Sequence, residues 1–100
     1  MPAYFLFDNV EVVDPECLAR CAERAARTVA DHNGRYLAVA PHPEIIEGRP
    51  VLHEPVLIEF PDLDAARAWY DSPEYQPLQK LRHRAARSTA VLFEGTDPPR

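Results

Sequence analysis

The chain has 100 residues, 46% of them hydrophobic and 27% charged, with a net charge of -5; this is enough for one packed core and too little for two. The acidic balance excludes the basic field that nucleic acid or an anionic membrane surface would need, and no apolar run approaches the roughly 20 residues of a membrane span. The N-terminal MPAYFLFDNVEV has neither the basic region nor the small-residue cleavage site of a signal peptide, so a cytoplasmic protein is expected.

Residues 4–13 are rich in aromatic and β-branched side chains between Pro2 and Asp14-Pro15 and read as a strand whose two faces are both apolar. Such a strand needs cover on both sides, one of them from a second subunit. Asp14-Pro15 is a helix start: Asp accepts from unpaired N–H groups, and Pro at the first position lacks the N–H that would go unused. At helical spacing Leu18, Cys21, Ala22, Ala25, Val29 and His32 share one side. Glu16, Arg20, Glu23, Arg24, Arg27 and Asp31 take the other, and Asn33-Gly34 closes the helix with a left-handed residue. Cys17 and Cys21 are four apart on this helix, a poor geometry for a mutual disulfide, and read as buried thiols.

Residues 35–40 form the second expected strand, which Pro41-His42-Pro43 interrupts by removing N–H donors. Extended structure should resume over 44–47, turn at Gly48-Arg49-Pro50 and continue as a third strand over 54–60, antiparallel to the second. That turn would make His42 and His53 neighbours. Asp62 caps a second helix with Leu63, Ala66 and Tyr70 toward the core and Trp69 on its flank. Ser72-Pro73 and Pro77 break the pattern, so a tight SPEY turn leads into a helix from Pro77 to about Arg87, and residues 88–94 form the last strand. The order is βαββαβ, an α+β ferredoxin-like plan in which a four-stranded antiparallel sheet carries its helices on one face. One domain over 1–95 is expected, with a loose tail at 96–100. The other sheet face would be exposed in a monomer, and pairing two subunits sheet to sheet is the simplest cover.

The segments PAYFLFDNVEVVDPE, NGRYLA, EIIEG and above all IEFPDLDAARAWYDSPEYQPLQKLR resemble domain-of-unknown-function family 1330, of the dimeric α/β-barrel superfamily, over about residues 2–95. The distinctive part, WY-x-SPEY-x-x-L-x-x-x-R, matches Trp69, Tyr70, Ser72, Pro73, Glu74, Tyr75, Leu78 and Arg82. The PHP insert at Pro41 to Pro43 and Asn33, where the family usually has a second Gly, depart from it. The resemblance implies a fold and a dimer more firmly than a function. The wider superfamily includes cofactor-free quinone monooxygenases, haem-degrading oxygenases, muconolactone isomerases and polyketide cyclases, with sites between the sheet and its helices.

Arg82 is the most informative single residue. Leu78, Leu81 and Ala85 define the core side of its helix, and Arg82 lies only about 60° from the centre of that side, whereas Lys80, His83, Arg84 and Arg87 face away. A charge so placed either clamps a substrate carboxylate or enolate or pairs internally with Glu59, Glu74 or Asp8. Trp69 would stack on a substrate ring or belong to the core, and the Tyr75 hydroxyl would bond a carbonyl or relay a proton. His42 and His53 are proton-transfer candidates beside the simpler reading of exposed loop histidines. With Glu44 or Glu54 they are a weak metal signal for want of a third firm ligand. Asn9 and Trp69 suit a haem-oxygenase pattern, but His83 falls on the polar side, badly placed to ligate iron.

These residues support a dimeric, cofactor-independent small enzyme acting by proton transfer, through isomerisation, cyclisation or dehydration, on an aromatic or polyketide-like small molecule. Tyr75, His53 and His42 would be catalytic, Arg82, Trp69 and Asn9 would bind substrate, and no metal is expected. The rivals are a cofactor-free monooxygenase of quinol-type substrates and a non-catalytic binding or structural dimer.

Overall fold

The computed structural model describes residues 1–49 and 52–96, so Pro50 of the expected turn and most of the expected tail lie outside the described residues. The elements run β1 (Ala3–Val12), α1 (Pro15–Asp31), β2 (Arg35–Val39), β3 (Pro55–Phe60), α2 (Leu63–Tyr70), α3 (Gln76–Ala85) and β4 (Ala86–Glu94). The strands make one sheet in the order β2-β3-β1-β4, every neighbouring pair antiparallel. The βαββαβ plan is therefore the fold, with its second helical segment split in two by the SPEY turn.

The helix starts follow the sequence logic. The Asp14 carboxylate accepts from the Cys17 N–H at 3.1 Å and that of Asp62 from the Ala65 N–H at 2.7 Å, each satisfying a donor that the first helical turn leaves unpaired. At the end of α1 it is Asn33 that takes the left-handed conformation, with φ 62°. Gly34 serves a different need, because a Cβ there would stand 2.6 Å from the Phe60 ring and 2.8 Å from Val29.

Two boundaries differ from expectation, and one turn residue has an added role. No strand forms over 44–47: the β2–β3 ladder closes with the Ala40 N–H on the Pro55 carbonyl at 2.9 Å, and the prolines at 41 and 43 withhold the donors a longer hairpin would need. Next, α3 stops at Ala85 rather than near Arg87, because the Ala85 carbonyl accepts from the Val13 and Asp14 N–H groups at 2.7 and 2.9 Å. The chain passes straight into β4 with no loop. Finally, Ser72 does more than break a helix. Its hydroxyl donates to the Trp69 carbonyl at 2.7 Å and accepts from the Tyr75 N–H at 3.3 Å, which caps α2 and aims Tyr75.

Trp69 is at the centre of the core rather than on its flank, 1% exposed. Its ring centroid lies 5.4 Å from that of Phe5, 5.3 Å from Phe60 and 4.2 Å from Tyr75. The indole N–H donates to Thr28 Oγ at 2.9 Å, and the Thr28 hydroxyl donates to the Ala25 carbonyl at 2.8 Å. Fully buried Ala66 keeps α2 close to the sheet, so the inward stripe runs through positions 66 and 69, and Tyr70 is only partly buried.

Side chains alternate across the sheet. Phe5, Phe7, Val56 and Ile58 face the helices, while Tyr4, Leu6, Asp8, Leu57 and Glu59 face the other way with Val91 and Phe93 of β4. Among the described residues no helix covers that second face, and Val91 and Phe93 are 52% and 43% exposed.

Candidate functional site

Between the sheet and α1 lies a cavity of about 410 Å³ whose surface is almost wholly apolar, within the range of small-molecule sites. Phe7 and Trp69 supply aromatic wall, Leu18 and Cys21 of α1 close one side, and Val56 and Ile58 of β3 form the floor. The polar groups on its wall are few: Asn9, Tyr36, Tyr75, Arg82 and Glu23. Of the six residues singled out from the sequence, Asn9, Trp69, Tyr75 and Arg82 thus meet around one space.

Local structure explains why. Asn9 comes just before an irregularity in the β1–β4 ladder, between Asn9 and Glu11, and such bulges re-aim side chains at the edge of a pleat. Tyr36 comes just before the irregularity in the β2–β3 ladder. Tyr75 precedes the first residue of α3 and is 3% exposed. Arg82 projects from the last turn of α3. Its Nη1 donates to Ser88 Oγ at 2.6 Å, its Cζ stands 4.8 Å from the centre of the Phe7 ring, and its Nη2 is 3.4 Å from His83 Nε2. Its Nε is buried without a hydrogen-bond partner among the described residues.

The internal ion pairs open to Arg82 are not made among the described residues. Glu59 is engaged by Arg35 at 2.9 Å, Asp8 accepts from the backbone and ring of His53, and Glu74 is exposed. A guanidinium, charged throughout the working pH range, therefore borders an apolar cavity with a hydroxyl and an aromatic face as partners and no carboxylate.

Three other groups on the wall, Tyr75, Tyr36 and Cys21, are held neutral. Burial pushes the Tyr75 hydroxyl above its ordinary pKa, with the Arg82 guanidinium beside it pulling the other way. Tyr36 is pushed up to about 12, first by burial and then by the neighbouring Tyr75 and Cys21. Burial also raises the Cys21 thiol, whose S–H donates to the Leu78 carbonyl at 3.0 Å. Both cysteines are free. Among the described residues the cavity thus presents the Arg82 guanidinium, two phenolic O–H groups and, on α1, the acidic Glu23.

Neither histidine lines this cavity. His42 is exposed and makes no side-chain hydrogen bond among the described residues. His53 is held on the opposite face of the sheet by Asp8, its Nδ1 3.1 Å from Asp8 Oδ2. Asp8, 1% exposed, also accepts from the N–H groups of His53 and Glu54, both at 2.8 Å, so it fastens the entry to β3 onto β1. His83 is exposed. Among the described residues no three His, Cys, Asp or Glu side chains form a metal-binding group.

Tyr36, Ser88 and Glu23, the last assigned by helical phase to the outer side of α1, are the polar residues that the sequence did not disclose. Tyr36 sits in a short strand with no marked alternation, and Ser88 gains meaning only from the early end of α3.

The model of the family described as Domain of unknown function (DUF1330) matches residues 2–96. The chain belongs to that family. Several solved structures share its architecture. A protein of unknown function from Rhodopseudomonas palustris, RPA0582, is 17% identical with a TM-score of 0.74, over 97% of this chain and 84% of that one. A dimeric ferredoxin-like protein of unknown function from Jannaschia sp. CCS1 is 13% identical with a TM-score of 0.75, over 95% and 100%. SnoaB, a cofactor-independent oxygenase from Streptomyces nogalater, is 19% identical with a TM-score of 0.68, over 97% and 95%. No curated protein matches the chain. At these identities the likeness shows the fold alone.

The Asp8 cluster makes a pH prediction. Burial alone would raise the Asp8 carboxyl, but the hydrogen bonds from His53 and Glu54 outweigh it and hold the pKa below the ordinary value. A lowered folded-state pKa stabilises above the unfolded value of about 3.9, and that contribution is lost as pH falls through the folded value. Asp8→Asn should therefore cost about 1–3 kcal/mol near neutrality, with the gap to wild type closing as pH falls below about 4. Urea unfolding at a series of pH values reads this; a gap independent of pH would contradict it.

Proposed function

We propose that the cavity binds a small, largely apolar acid, aromatic or polyketide-like, and that the protein acts on it by proton transfer without a cofactor. The observation that carries this reading is the Arg82 guanidinium at the edge of an apolar cavity, its Nε buried and unpartnered and no carboxylate paired with it among the described residues. An orphaned donor is costly in a folded protein unless something fills it, and a ligand carboxylate or enolate is the fitting acceptor. Aromatic surface from Phe7 and Trp69 suits a flat ring system.

In this reading Arg82 stabilises negative charge on the ligand, where exclusion of water strengthens the attraction. Tyr75, kept protonated by its surroundings, delivers a proton to a carbanion or enolate carbon or oxygen. A substrate that enters as its own anion needs no strong base, and the phenol is reprotonated from solvent. Asn9 and Tyr36 fix orientation. His42 and His53 take no part, since neither borders the cavity.

A second reading, a cofactor-free monooxygenase of a quinol-type substrate, has the likeness to SnoaB in its favour. It uses the same anion pole, with the ligand carbanion meeting oxygen instead of a proton. Oxygen uptake with a quinol substrate would distinguish it from turnover that consumes no oxygen.

We also propose that two copies pair through the open sheet face, as the Jannaschia protein's dimeric state suggests and as the exposed Val91 and Phe93 of this chain require for cover. Sedimentation should find a dimer for the wild type and a folded monomer for a Val91→Lys, Phe93→Lys double variant; a wild-type monomer, or a dimer indifferent to these changes, contradicts the pairing.

For the site, a thermal-shift panel of aromatic and keto acids is the direct test. A ligand at about a hundred times its dissociation constant adds roughly 2.7 kcal/mol to stability. The wild type should show such a shift with some of these acids and Arg82→Gln should lose it. Equal shifts in both proteins, or none in either across the panel, would sink the reading.

A further inference from the structure

We infer that Ser88 is a positioning residue that sets the charge selectivity of the cavity by fixing the plane of the Arg82 guanidinium; this deepens the anion-pole reading and rests on it. The hydroxyl of Ser88 accepts from Nη1 at 2.6 Å, and the Phe7 ring lies 4.8 Å from Cζ. One contact holds an end of the planar group and the other holds its face.

What remains is the edge carrying Nε and Nη2. These two nitrogens present parallel N–H groups that match the two oxygens of a carboxylate, or of a carbonyl–enolate pair. Nε has no partner among the described residues, and Nη2 meets His83 at a long 3.4 Å in an exposed position. This edge therefore lacks a carboxylate acceptor of its own, with the Tyr75 hydroxyl beside the guanidinium.

The link between Ser88 and Arg82 is rigid because of how the chain is built between them. With α3 ending at Ala85 and β4 starting at Ala86, there is no loop to flex. Ala85 and Ala86 are 1% and 3% exposed, and the Ala85 carbonyl is pinned by the Val13 and Asp14 N–H groups at 2.7 and 2.9 Å. Ser88 also faces Asn9 across the β1–β4 ladder, so the anchor and another polar group of the cavity share one register. Without the Ser88 hydroxyl the long Arg82 side chain is free to swing toward solvent, and rotamer freedom then weakens every bond it makes to a ligand.

Selectivity follows. Among the described residues Arg82 is the one cationic side chain on the cavity wall, which also carries the acidic Glu23. The favoured ligand is a monoanion with its planar acid group at the Arg82 end. A second negative charge elsewhere on the molecule would be unpaired or repelled.

Calorimetric titration with 2-naphthoate and with its neutral isostere 2-naphthamide tests this on wild type, Ser88→Ala, Ser88→Thr and Arg82→Gln. Ser88→Ala should bind 2-naphthoate about tenfold more weakly while its affinity for 2-naphthamide changes less than about twofold, and Ser88→Thr should restore the naphthoate affinity. A merely structural serine would lower both affinities together, or the melting temperature alone, and either result overturns the inference. If Arg82→Gln loses naphthoate selectively but Ser88→Ala does not, the Ser88 role falls and the anion pole stands. If wild type binds neither probe, or Arg82→Gln keeps naphthoate, the anion pole falls and takes Ser88 with it.

Discussion

The indole of Trp69 ties the helix layer to the sheet, and the placing of the cavity depends on it. Its ring is wedged among Phe5, Phe60 and Tyr75, while its N–H reaches across to Thr28 of α1. One side chain thus sets the height of α2 over β1 and β3 and its distance from α1. Large aromatics carry much of the burial in so small a core. Because this anchor fills the middle of the helical face, the unfilled space falls beside it, between α1 and the β2 side of the sheet. The cavity is bordered by the same indole that holds the core together. Removing Trp69 would therefore confound stability with binding, whereas Arg82 and Ser88 lie at the edge of the packing and separate the two.

The polar end of the cavity is built from places where regular structure is interrupted. A ladder irregularity follows Asn9, another follows Tyr36, a turn capped by Ser72 delivers Tyr75, and a loop-free helix-to-strand junction fixes Arg82 against Ser88. An uncompensated guanidinium and its orphaned Nε oppose stability. Such a local conflict in an otherwise consistent fold is where function is expected.

Much of the fold was legible because it is written in residues with few uses. Asp14-Pro15 and Asp62 can hardly be other than helix starts, and the alternation of β1 set its two faces. The helical phase of Arg82 was legible for the same reason, since charged residues on a core side are rare. Other features were hidden because they arise from tertiary partners. Trp69 looked peripheral until the small Ala66 brought α2 close to the sheet. The end of α3 is decided by the N–H groups of Val13 and Asp14, over seventy residues earlier in the chain. His53 appeared catalytic by type, but its partner is Asp8 on the far face, a pairing that strand register fixes and local sequence does not show.

The central claim is that a ligand anion meets Arg82 inside the cavity, and the Arg82 side chain itself is the best reporter. In a nitrogen–proton correlation spectrum the buried Nε–H of Arg82 gives its own resonance, distinct from the Trp69 indole. On titration with 2-naphthoate the account predicts that the largest shift falls on this Arg82 resonance, moving downfield as its orphaned proton gains an acceptor, with Tyr75 and Val39 amides following. If the Arg82 resonance stays still while the amides of Val91 and Phe93 move, the ligand sits on the open sheet face, and the cavity is not the site.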